Sequence, residues 1–199
     1  MCTNNEFQQT EKHPANYGPI PQILEGPLTI VVGTQSLVFR SVFEDAALML
    51  ANTLYYQGRY TPIITTDIEI SKSSSIPDSN LIILGGPATN SFAAMMQRNQ
   101  PLPVSWTSNG FAIGPREFTH PESGLAFISN IRSLPNRLAL FIDGNSAKAA
   151  NRASTLIPTK SSWTVPDWVV TGPEFGWNGA AGLLGAGYWN NNWAYEQVV

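Results

Sequence analysis

The chain has 199 residues, 43% hydrophobic and 11% aromatic, which is enough to bury one core and favours a single domain over two. Charged residues are only 13% and the formal net charge is -3, with lysines and arginines scattered singly, so there is no basic footprint for nucleic acid or an anionic membrane. A single cysteine, Cys2, excludes an internal disulfide framework, and no apolar run approaches the roughly 18 residues of a membrane span.

Residues 1–17 are polar, lack the basic and apolar regions of a signal peptide, and read as a disordered tail ahead of one α/β domain over 18–199. The run Leu28 to Val32 is apolar and β-branched, enters from Gly26-Pro27 and closes at Gly33, as a buried parallel strand does. From Val42 the apolar positions Phe43, Ala46, Ala47, Leu50 and Leu54 mark one face of a helix ending near Gly58. A second strand is expected over 60–66, a polar turn-rich link over 71–79, and a third strand over 81–84 that again ends in glycines. A helix carrying Phe92, Met95 and Met96 follows.

Between residues 101 and 135 the rhythm breaks into short apolar runs separated by Pro, Gly and Asn, which predicts a small β-rich insertion. Alternation returns with a strand over 137–144, a helix through Ala147, Ala150, Ala153 and Leu156, and a strand at 167–170. The tail beyond Gly172 is rich in Gly and aromatics, and 182–189 suits an edge strand. Such alternation predicts a flavodoxin-like, mostly parallel sheet with helices on both faces.

In such sheets ligands sit beyond the carboxyl ends of the strands, which singles out three turns. They contain Gly33, Thr34 and Ser36; Gly85, Gly86, Thr89 and Asn90; and Asp143, Gly144, Asn145 and Ser146. Glycine lets backbone N–H groups approach a ligand, and the short polar side chains can hydrogen-bond it, but the same residues equally serve as ordinary turns and helix caps. Neither GxxxxGK[ST] nor GxGxxG opens a helix, so no nucleotide cofactor is expected, and no His, Cys or carboxylate spacing resembles a metal ligand set. GxSxG is absent as well. A hydrolase reading would need Ser36 or Asp143 served by His120, because the other histidine, His13, falls in the expected tail.

Six tryptophans remain, four of them after residue 167. Trp168 reads as buried, whereas Trp177, Trp189 and Trp193 stand among Gly and Asn, as aromatic residues of protein- or glycan-binding surfaces do.

Four segments, GPLTIVVGT (26–34), NLIILGGPATNSF (80–92), RLALFIDGN (137–145) and PDWVVTGPEFGWNGAAGLLGAGYWNNNW (166–193), together resemble the C-terminal domain of secreted or envelope prolyl-oligopeptidase-like (S9) and esterase-like α/β-hydrolases. The resemblance implies an extracellular accessory module that packs on a serine hydrolase, with the nucleophile, acid and histidine in the hydrolase module. The turn GGPATN (85–90) is also similar to turns of cell-wall-binding domains, which implies a glycan as an alternative partner. The expectation is a non-catalytic interaction domain that docks through its aromatic C-terminal segment on a hydrolase module, another protein domain, a second copy of itself, or a glycan. The alternative is a hydrolase with a non-standard site.

Overall fold

In the computed structural model, which describes residues 11–157 and 164–196, the buried apolar runs become the centre of one seven-stranded sheet. Cys2, Trp163 and the first ten residues of the expected tail lie outside the described residues. Strands β1 (Leu28–Val32) and β3 (Asn80–Leu84) are buried at every position. β2 (Ile63–Thr66) lies beside β1, and β8 (Leu134–Gly144) beside β3, all parallel, with Thr29 opposite Ile63 and Leu81 opposite Ala139.

The other half of the sheet is antiparallel. β7 (Gly124–Ile131) runs against both β8 and β9 (Trp168–Thr171), and β10 (Leu183–Gly187) runs against β9, giving the order β10-β9-β7-β8-β3-β1-β2. The expected mostly parallel sheet is therefore a mixed one. The cause lies in β7, an eight-residue strand buried throughout, whose sequence reads as part of the insertion. Only Arg132 and Ser133 separate it from β8, and so short a connection allows only an antiparallel hairpin. The insertion shrinks to a three-stranded antiparallel sheet of β4 (Val104–Thr107), β5 (Gly110–Ile113) and β6 (Arg116–Phe118).

Among the described residues five α-helices complete the fold: α1 (Leu37–Gly58), α2 (Asp67–Lys72), α3 (Ser91–Asn99), α4 (Ala147–Ser154) and α5 (Phe175–Asn178). α1 buries the stripe Phe43, Ala46, Ala47, Leu50 and Leu54, packing on β1 and α4, while α2 packs on α3. It starts at Leu37, ahead of the expected Val42, because Leu37 and Val38 form an exposed first turn that the buried stripe does not report. α2 is held by a capping box in which the Thr66 hydroxyl accepts from Glu69 N–H and the Glu69 carboxylate accepts from Thr66 N–H.

Residues 11–17 pack on the body instead of trailing as a tail. Asn16 is fully buried, the side chains of Asn16 and His13 donate to the Pro135 carbonyl at 2.9 and 3.0 Å, and Lys12 forms a buried ion pair with Asp167. These partners stand far away in sequence, which hides the contact from local composition. At the amino ends of the strands a 3-10 turn, Ile20–Leu24, is buried throughout, and the Asn80 amide donates to the carbonyls of Ile23 and Glu25 at 3.0 and 2.9 Å.

Candidate functional site

The turns at the carboxyl ends of β1 and β3 are tied to each other. Gly33 N–H donates to the Leu84 carbonyl at 2.9 Å and Gln35 N–H to the Thr89 carbonyl at 3.1 Å. A Cβ at Gly33 would collide with those same two carbonyls, so glycine at this position admits the neighbouring turn rather than a ligand. Asn90 is completely buried: its oxygen caps α3 by accepting from Phe92 and Ala93 N–H, both at 3.0 Å, and its amide donates to the Leu84 carbonyl at 2.9 Å. Gly85 N–H donates to Ile142 at 2.8 Å, joining this turn to β8.

Asp67, which sequence reasoning passed over, gathers the rest of the crevice. Its carboxylate accepts from the Thr34 hydroxyl at 2.6 Å, the Gln35 amide at 2.9 Å, and the Ser91 N–H and hydroxyl at 2.7 and 2.9 Å. Burial pushes this carboxyl up, but the bonds from Thr34, Ser91 and Gln35 outweigh burial and hold it below the ordinary aspartate value. The one sequence signal was the Thr66-x-x-Glu69 capping pattern, which announces a helix start but not the reach of Asp67 across to β1 and β3.

At the end of β8, Asp143 faces the other way electrostatically. The small sheet folds over it: Trp106 of β4 donates its indole N–H to the carboxylate at 2.8 Å. Burial raises its pKa, and the hydrogen bonds from Trp106, Gly144 N–H and Gly86 N–H do not offset that burial. A Cβ on Gly86 would strike the carboxylate, and one on Gly144 would strike the backbone of Ala149 and Ala150. The Asn145 amide donates to the carbonyls of Phe118 and His120, both at 2.9 Å, fastening the small sheet, and the Ser146 hydroxyl caps α4 through Ala149 N–H at 3.2 Å.

The three residues of the hydrolase alternative are not joined by any hydrogen bond among the described residues. Ser36 ends the turn after β1 and makes no side-chain cap bond. β3 stands between β1 and β8, so these strand ends are separated by about 10 Å at ~4.8 Å per strand. The exposed His120 ring accepts from Glu122 N–H at 3.1 Å, within its own turn. Among the described residues no group of three or more His, Cys, Asp or Glu could hold a metal ion, and no helix is long and apolar enough to cross a membrane.

Of the expected aromatic surface, Trp177 alone is exposed, at 74%. Trp189 and Trp193 are buried against this chain's own antiparallel half, a correction to the expectation. Trp189 stacks on Trp168 with ring centroids 5.9 Å apart and donates its indole N–H to the Ile128 carbonyl at 2.8 Å. The Lys12 ammonium lies 4.9 Å from the Trp193 ring centroid. Gly and Asn neighbours signalled exposure, yet here Gly187 is small because Trp168 lies across it.

The exposed apolar surface is elsewhere. The outer face of α1 presents Leu48, Met49, Tyr55 and Tyr56 to solvent, and its first turn presents Leu37 and Val38. The edge strand β2 exposes Ile63 and Ile64, whose side chains alternate to opposite faces. Tyr17 and Tyr188, both exposed, help to line a groove of about 840 Å³.

No protein-family model matches the chain, and no curated protein matches it at a significant level.

Proposed function

We propose that this chain is a non-catalytic interaction domain that works through a surface, with the outer face of α1 as its contact face. One observation carries this reading: the strand-end crevice is filled by Asp67, Asn90 and the Asp143–Trp106 pair, while four large apolar side chains of α1, Leu48, Met49, Tyr55 and Tyr56, face solvent. Exposed apolar side chains grouped on one face, rather than scattered singly, are what a contact surface presents. The parallel half, ordered β2-β1-β3-β8, supports a flavodoxin-like reading of that part of the sheet. The four-segment resemblance supports an accessory role beside an extracellular serine hydrolase, with catalysis the work of that partner.

A second reading has its own observation. The groove lined in part by Tyr17, 61% exposed, and Tyr188, 66% exposed, offers two aromatic faces of the kind that stack on sugar rings, so glycan binding fits that groove.

The test pairs turnover with association. The purified domain is expected to leave generic ester and peptide substrates unhydrolysed, and Leu48→Glu is expected to remove its protein association while leaving thermal stability nearly unchanged. Turnover that disappears in Ser36→Ala or His120→Ala would overturn the reading and restore the hydrolase alternative.

A further inference from the structure

The contact face of α1 is complementary to itself. Asp45, Leu48, Met49, Asn52, Tyr55 and Tyr56 recur at i, i+3, i+4, i+7 spacing along one side of the helix, and Arg59, the left-handed cap just beyond Gly58, lays its guanidinium 5.2 Å from the centroid of the Tyr55 ring on that side; all are exposed. The seam carries an acid at its start, a base at its end and a single asparagine at its centre, with apolar residues between. Arg59 follows Asp45 by 14 positions, about 21 Å along the helix axis, so the two cannot pair within one chain. Among the described residues, Arg40 pairs with Glu44 at 2.7 Å, whereas neither Asp45 nor Arg59 enters an ion pair.

A two-fold axis through Asn52 makes these features meet. Two antiparallel α1 helices then place Asp45 opposite Arg59, Leu48 opposite Tyr56 and Met49 opposite Tyr55, each pair being centred on position 52. Parallel pairing would instead oppose Asp45 to Asp45 and Arg59 to Arg59, which like-charge repulsion disfavours. The paired amides of Asn52 at the axis would fix the register, the role of a lone polar residue in an apolar helix seam. Resting on the reading of this face as the contact surface, we infer that its partner is a second copy of this chain, held by antiparallel pairing of α1 about Asn52. The interface is isologous, as two-fold symmetry requires. One helix seam buries less than the roughly 800 Å² per partner of a standard interface, so the dimer is weak and its population depends on concentration.

The test is sedimentation equilibrium of the chain over a micromolar-to-submillimolar series. The parent is expected to show a monomer–dimer equilibrium. Asp45→Arg and Arg59→Asp singly should each weaken it by about tenfold or more, as opposed charges become like charges, and the double variant should recover parental association. In a Cys2→Ser background, Asn52→Cys should oxidise to a covalent dimer and Leu37→Cys should not. Leu37, Asp45, Leu48, Asn52 and Arg59 are exposed, and circular dichroism is to check that each variant is folded. A parent that stays monomeric, or a dimer that none of these substitutions changes, overturns the inference. If the parent is monomeric but Leu48→Glu abolishes binding to a separately expressed hydrolase module, the second copy is wrong and the contact face stands. If Leu48→Glu alters no association of any kind, both fall.

Discussion

Two aspartates at the carboxyl ends of the outer strands of the parallel half, β2 and β8, have opposite electrostatic characters, set by what surrounds them. Asp67 has four donors aimed at its charge, and Asp143 has burial that its donors do not offset. The depressed pKa of Asp67 means that its stabilisation is fully present above the unfolded value of about 3.9 and is lost as pH falls through the lower folded value. For Asp143 the sign reverses: the folded state binds the proton more tightly, so stability declines as pH rises from about 3.9 through the raised folded value. Thermal unfolding across pH should therefore find Asp67→Ala destabilised by about 3 kcal/mol near neutrality, because four donors lose their acceptor. Asp143→Asn should be neutral or stabilising there and should flatten the decline toward higher pH. Asp143 was visible in the sequence as the best-placed acid; its closure by Trp106 was not, because the indole arrives from a separate small sheet 37 positions earlier.

At the level of elements, α1 shows what periodicity reports and what it misses. The buried stripe located the helix and its end near Gly58, and it fits the observed packing on β1 and α4. The same 22 residues carry a second apolar stripe, which blurs the contrast between faces that a surface helix usually shows. Thermal denaturation should separate the two stripes: Leu50→Ala, in the core, is expected to cost about 3 kcal/mol, and Leu48→Ala, about half a turn away around the helix and exposed, to stay within about 0.5 kcal/mol. β7 was misplaced for a related reason. A short apolar run bounded by Gly and Asn looks alike in an insertion and in the middle of a sheet, and only the two-residue link to β8 distinguishes them.

Across the whole molecule, local signals identified the α/β class and the parallel strands β1, β3 and β8, since buried runs followed by glycine turns are properties of a few adjacent residues. Long-range ties stayed hidden: the Lys12–Asp167 ion pair, the His13 and Asn16 bonds to Pro135, and the burial of Trp189 all join residues more than fifty positions apart. The glycine turns stand at the carboxyl ends of β1, β3 and β8, yet their hydrogen bonds turn inward, so composition alone could not distinguish a ligand cradle from a sealed turn. Whether this domain acts through the outer face of α1 or through the strand-end crevice is decided by amide hydrogen exchange read by mass spectrometry at low and high protein concentration. Added protection at high concentration is expected in peptides spanning residues 45–59, with exchange unchanged in the turns at 33–36, 85–90 and 143–146. Added protection in those turns, with the α1 peptides unaffected, would contradict a contact face on α1.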